Sequence, residues 1–310
     1  MAEIYFSNAM FGCIPNCETP EVMARIKDLA TPWDGKDIEE TPDVITYESF
    51  EKALETMPDV DSRWWEKYNW ENYVITSQSY RPNCAGCAEA TATVTRTLIQ
   101  AGSQYSEQLP KKFNPMLTWL LSKGGSAIGG QSIGAMAQAG NEIGNFLAED
   151  VGEYDPANIS LKRSEKANLN AKERQICYSI YDGNDPAEAV LKALQKGFTC
   201  FVGNNRAIAD GRYTDENGVE CVRLSRNSWS HATTYAGFQI VNGKRYAFWI
   251  NSHGEIYPAN DGTPPIGGWQ SEETVRDFLG GSFHDVCFIV YAEAPYDPNA
   301  PKTLNPMVKG

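Results

Sequence analysis

The clearest periodicity in the chain lies in NDPAEAVLKALQKGFTCFVGN, where apolar positions recur at helical spacing from Ala187 to Leu194. Asp185 stands as the N-cap, Pro186 at the first helical position and Glu188 where a capping box needs it; Gly197 closes the helix. The apolar run from Phe198 to Val202 then reads as a short buried strand. The same spacing predicts a helix opened by Thr19 and Pro20, carrying Val22, Met23, Ile26 and Leu29 and stopped by Pro32. A second is predicted over 46–57 with Tyr47, Phe50, Leu54 and Met57 on one face. A third runs over 87–101, with Cys87, Ala90, Val94 and Leu98 aligned and Gly102 as its stop, and a fourth from Ser132 to Gln138.

The second half of the chain changes period. HATTYAGFQIVNGKRYAFWIN reads as two long strands joined at Asn242-Gly243, a hairpin signal, and DVCFIVYAEA as a last strand before a Pro-rich tail. Helices first and strands afterwards predict an α+β fold in two lobes. The expected organisation is an N-terminal extension over 1–65, a helical lobe over 66–165, a β-rich lobe over 166–295 and a tail over 296–310. The extension is polar and acidic. It reads equally as a lid, a propeptide-like inhibitor, an assembly arm or a small packing extension.

Composition narrows the function classes. The 310 residues are 42% hydrophobic and 22% charged, enough for a sizeable core. Forty acidic against 27 basic residues give a net charge of −13, with no basic run, so phosphate backbones would be repelled and nucleic acid is not an expected partner. No stretch approaches the ~18 apolar residues of a membrane span, and the first residues lack the basic and apolar regions of a signal peptide. A cytoplasmic location with mostly free thiols among the eight cysteines is therefore expected.

Two of those cysteines, Cys84 and Cys87, form C-x-x-C ahead of the third helix. A zinc site would need about four ligands, and no second pair follows at the usual spacing. A thioredoxin-like redox pair would need a preceding strand, which residues 70–83 do not supply. A nucleophile at a helix start has a physical basis: the macrodipole and unpaired N–H groups favour the thiolate, whose pKa can fall to roughly 3.5–7.5 beside a cationic histidine. That reading needs one of three histidines, His231, His253 or His284.

Three segments, taken in order, resemble the motifs of papain-like cysteine peptidases between about residues 66 and 295. PNCAGC resembles the segment ending in the nucleophile, SHATTYAGF the histidine strand, and FWINSHG the asparagine segment. The resemblance implies a papain-like two-lobe fold in which Cys87 attacks a substrate carbonyl, His231 shuttles the proton and Asn251 orients the imidazole. It implies peptide or isopeptide substrates, a thioester intermediate, and neither metal nor cofactor. GGQSIGAMAQAG resembles the family's glycine pair, so Gly129 and Gly130 would pair through their backbone with an extended peptide.

The chain also departs from the pattern. The family's oxyanion-hole glutamine lies six residues before the nucleophile, where this chain has Arg81; Gln78 is nine before Cys87. Either an insertion lets Gln78 reach the site, or Asn83 or the Cys87 backbone N–H acts alone; losing one such donor costs about 10²–10³ in rate. The family's tryptophans after the nucleophile and after Asn-Ser are replaced by Ala88 and His253. These departures leave a second reading, a catalytically weakened papain-like scaffold serving as a structural or interaction component, for example of a viral or phage particle, with the extension or tail as the assembly contact.

Two local checks follow from geometry. A two-residue turn at Asn242-Gly243 would place Asn251 opposite Thr234, on the face away from His231, so a three-residue loop with a glycine bulge is expected to shift the register by one. Gly130-Gln131-Ser132-Ile133-Gly134 fits G-x-S-x-G, but that motif needs a strand immediately before it and LSKGGSAI is glycine-rich.

Overall fold

The computed structural model describes residues 13–35, 44–75, 77–79, 81–101, 112–159, 161 and 163–292. The Pro-rich tail and the first twelve residues of the extension lie outside the described residues.

Before the first helix comes a two-residue strand, β1 (Cys13–Ile14), which pairs in parallel with β2 (Gln131–Ser132). Every other strand joins one sheet, ordered β3 (Ile176–Ile180), β10 (His284–Ala292), β4 (Thr199–Ile208), β7 (Leu224–Val241), β8 (Lys244–Ile250), β9 (Gly267–Ser271), β6 (Glu220–Cys221) and β5 (Tyr213–Thr214). Its pairings are antiparallel except that of β6 with β9. Every residue of β3 and of β9 is buried, as expected of strands covered on both faces.

Helices supply the covering layers. On one face α2 (Tyr47–Leu54), α8 (Pro186–Gln195) and α9 (Glu272–Leu279) build a core with Val202, Tyr235, Trp249 and Phe288. On the other, α3 (Cys84–Ala101), α4 (Pro115–Ser122) and α5 (Ile133–Glu142) enclose Phe201, Ala232, Cys287 and Ile289. The short side chains of Ala85, Ala88 and Ala92 bring the α3 backbone close to the sheet. Fold class and element order thus match the α+β expectation.

The capping signals hold with local differences. Asp185 Oδ1 accepts from Glu188 N at 3.0 Å. The Glu188 carboxylate instead accepts from Arg245 at 2.7 Å, tying α8 to β8. Helix α1 (Pro20–Leu29) starts where Pro20 predicts, but the Thr19 hydroxyl donates to Asn16 O at 3.0 Å and does not cap the helix. Ser132 caps α5, its hydroxyl accepting from Ala135 N at 3.2 Å, so G-x-S-x-G marks a helix start. Helix α3 begins at Cys84, three residues before the predicted start, which puts the whole C-x-x-C inside its first turn.

The hairpin corrects one expectation. Asn242 and Gly243 both have positive φ (52° and 80°) and Val241 faces Lys244, which is a two-residue turn and not a three-residue loop. The one-residue shift nonetheless exists, inside β7. Phe238 faces Ala247 while Tyr235 faces Trp249, so the extra residue lies at Ala236–Gly237. Gly237 fits there because a Cβ would stand 2.6 Å from Trp65 and 2.8 Å from Phe248.

The extension is stitched into the fold beyond β1. Val44 bridges to Tyr178 and Thr31 to Ile45, and Met23 and Ile26 of α1 approach Gly134 of α5. Among the described residues no helix is long and apolar enough to cross a membrane.

Candidate active site

The shifted register turns His231 of β7 and Asn251, just after β8, to one face, where His231 Nε2 lies 2.7 Å from Asn251 Oδ1. The carboxamide is fixed at both ends: Nδ2 donates to Tyr257 Oη at 3.3 Å, and Oδ1 also accepts from Ser252 N at 2.8 Å. With oxygen facing the ring, Nε2 must carry the proton, and Nδ1 is the nitrogen able to accept one. Both residues are buried, at 1% and 2% exposure, so the bond is shielded from water.

Gln78 joins the same network. Its Oε1 accepts from Ser252 Oγ at 2.6 Å, its backbone N–H donates to Ser252 O at 2.7 Å, and Nε2 donates to Arg81 O at 2.9 Å. These bonds at both ends of the carboxamide fix the side chain.

The structure gives the two thiols of the C-x-x-C different surroundings. Cys87 sits one turn into α3, its backbone N–H donates to Asn83 O at 3.0 Å, and its Sγ lies 3.8 Å from Tyr154 Oη. Burial pushes its thiol up, against the weaker opposing effect of the Tyr154 hydroxyl. Cys87 is therefore a thiol of the helical-lobe interior, and its backbone N–H is spent on the helix. Cys84 is the residue at the helix start. Burial pushes its thiol up to about 12, opposed by N–H groups of Ala232, Ala85 and Cys84 itself directed at the sulfur. Ala232 immediately follows His231, so the Cys84 sulfur lies against the histidine segment of β7.

A sequence signal for this was available: Gln78 stands six residues before Cys84, the spacing expected between the oxyanion glutamine and the nucleophile. The apparent three-residue insertion disappears once Cys84 is taken as the reference. Tyr154 was missed because it lies in no motif; Ser252 lies within FWINSHG, but its side-chain link to Gln78 is not legible there. Tyr154 Oη receives Asn83 Nδ2 at 3.0 Å and so backs the helix start; Ser252 links Gln78 to Asn251.

His253 stacks on His231, with ring centroids 4.4 Å apart and planes inclined by 24°, and Trp229 stands edge-on at 4.7 Å from His231. Burial pushes His253 down to about 4. The aromatic cover therefore combines an imidazole with a tryptophan from β7.

Gly129 and Gly130 lie just before β2, and the Lys123 amine donates to the Gly129 carbonyl. Along β2 runs β1, in parallel pairing. Cys13 O accepts from Ser230 Oγ, the neighbour of His231. The Cys13 side chain is buried with Cys84, Ile133 and Ala232, and a Cβ on Gly203 would stand 2.6 Å from its sulfur. Asp285 Oδ2 accepts Asn16 N at 2.7 Å on the same side. All eight cysteines are free thiols.

No protein-family model matches the sequence, and no curated protein matches it. Solved structures do. Xylellain, a cysteine protease from Xylella fastidiosa, is similar over 93% of this chain and 98% of its own, at 15% identity and a TM-score of 0.55. Procathepsin B S9 from Trypanosoma congolense is similar over 93% and 88%, at 12% identity and a TM-score of 0.50. Both agree with the order of helical lobe and antiparallel sheet found here, so the chain has the papain-like cysteine-protease fold, in a divergent form.

Proposed function

We propose that the chain is a papain-like thiol peptidase with Cys84 as nucleophile, His231 as proton shuttle, Asn251 as the orienting carboxamide and Gln78 as an oxyanion donor. The observation that supports this best is the first turn of α3, where the Cys84 sulfur meets the backbone of Ala232, beside a histidine already fixed by Asn251. A thiol there also faces the positive end of the helix, whose first-turn N–H groups the helix cannot satisfy.

In this reading His231 Nδ1 takes the Cys84 proton, and the thiolate attacks the carbonyl carbon of a peptide or isopeptide. A C–S bond forms as the carbonyl electron pair moves onto oxygen, which Gln78 Nε2 and the Cys84 backbone N–H receive. Collapse expels the amine, which takes the proton from His231 and leaves a thioester. Water, deprotonated by His231, then attacks the thioester, releasing the acid and restoring the thiol.

The same reading gives residues 13–19 a restraining role. β1 runs along β2, beside the glycine pair where an extended substrate would bind, and its Cys13 fills the space beside Cys84. Burial here raises the Cys84 thiol and so disfavours the thiolate.

Labelling with a peptide vinyl sulfone followed by peptide mapping tests the assignment. Adduct at Cys84 that disappears in His231→Ala is expected. Adduct at Cys87, or at several thiols in proportion to exposure, removes it.

A further inference from the structure

We propose that His253 is a positioning residue acting through His231: stacked flat on the imidazole, it holds the plane in which Nε2 meets Asn251 and, being able to take a proton, makes that plane acid-sensitive. The inference rests on the peptidase reading only for its consequence in catalysis. The stack itself is geometry, with centroids 4.4 Å apart and Trp229 closing the edge of both rings, at 4.7 Å from His231 and 5.9 Å from His253.

The papain-like pattern has a tryptophan at this position, and an indole can cover the histidine–asparagine bond but cannot titrate. An imidazole does both. His253 is held in place by the Ser77 bridge, and burial pushes it down to about 4, so it is neutral cover at neutral pH. The titratable groups around the pair are His231 on β7, the Cys84 thiol at the start of α3, Glu255 on the same loop, and Asp210, which acts on Tyr257 beside Asn251. Two cationic rings at this separation displace each other's titration by about 1–3 pH units at an effective dielectric near 20. A proton on His253 therefore opposes the imidazolium that must form when Cys84 ionises.

Imidazole NMR of the full-length protein, with each histidine assigned by single substitution, tests the coupling without any need for turnover. Replacing His231→Gln is expected to raise the His253 midpoint by about one pH unit or more, and His253→Phe to remove a low-pH step from the His231 curve. Midpoints independent of each other overturn the proposal. If the peptidase reading fails, no turnover appears but the NMR coupling stands. If it holds, kcat/KM of the wild type falls with slope approaching two below pH ~4. His253→Ala lowers the neutral-pH rate, and His253→Trp restores it while returning the acid limb to slope one. An acid limb of equal slope in wild type and His253→Trp overturns the catalytic part, because a merely structural ring would leave that slope untouched.

Discussion

At the residue scale, the site turns on which of two cysteines three residues apart meets the histidine. They differ by most of one helical turn, close to 300° around the axis, but above all by a rise of about 4.5 Å, which carries Cys87 into the helix where its N–H is consumed. Cys84→Ala is expected to abolish both turnover and vinyl sulfone labelling. Cys87→Ala should keep kcat/KM within a few-fold while costing about 1–2 kcal/mol of stability, read from chemical denaturation, because it only loses packing against Tyr154. Gln78→Ala should lower kcat by about 10²–10³, the cost of one oxyanion donor, with a smaller change in KM. The C-x-x-C draws attention to its second member, since that is where the family's C-G-S-C ends; the glutamine spacing points to the first. The proposal follows the spacing to a functional partner, because six residues between donor and sulfur is a reach the fold must keep, whereas a repeated residue type is not.

At the element scale, two features of the framework have measurable consequences. The bulge at Ala236–Gly237 turns His231 toward Asn251, and it depends on a residue without a Cβ packed against Trp65 and Phe248. Gly237→Ala should destabilise the protein by about 1–3 kcal/mol and weaken labelling of Cys84 beyond what the lost stability explains, as the strand register relaxes. Helix α3 carries the second feature. Glu89 is fully buried, accepts from Thr93 Oγ1 and Asn145 Nδ2, and has its carboxyl pushed up to about 7 by burial, with those two bonds opposing. Between the unfolded value near 4.3 and that folded value the native state holds more protons, so stability falls as pH rises through this window and the benefit is gone above it. Thermal unfolding should therefore move to lower temperature from pH ~5 to ~7, and Glu89→Gln should flatten most of that slope, leaving the smaller part due to Asp285, pushed up to about 6 by burial. A slope unchanged in Glu89→Gln would show that Glu89 ionises without cost. The register shift was predictable in size from the need to face His231 with Asn251, but its position was not. An Asn-Gly turn is satisfied by two residues, and the bulge sits where tertiary packing against Trp65 demands it.

For the whole molecule, the N-terminal extension packs against the residues of the proposed site. Its β1 adds to β2, Ser230 donates to Cys13 O, and the Cys13 thiol is buried among Cys84, Gly203 and Ala232. A negative charge at that point is buried and faces the Asp285 carboxylate. Cys13→Glu in the full chain should therefore eject β1 and raise the alkylation rate of Cys84 by about tenfold or more, with the midpoint of its pH dependence falling below the value near 12 set by burial. Unchanged alkylation would mean that β1 does not restrain the site. The sequence by itself determined the helices and strands, since caps, periodicity and the Asn-Gly turn are local signals. It also determined the α+β class and singled out His231 and Asn251, which the fold brings into one hydrogen bond. Only the tertiary structure decided the different surroundings of the two thiols, where the register shifts, that a second imidazole stacks on the first, and that the chain's own N-terminal strand pairs with β2. Each of these depends on atoms brought together from segments tens to hundreds of residues apart, and no local pattern encodes that packing.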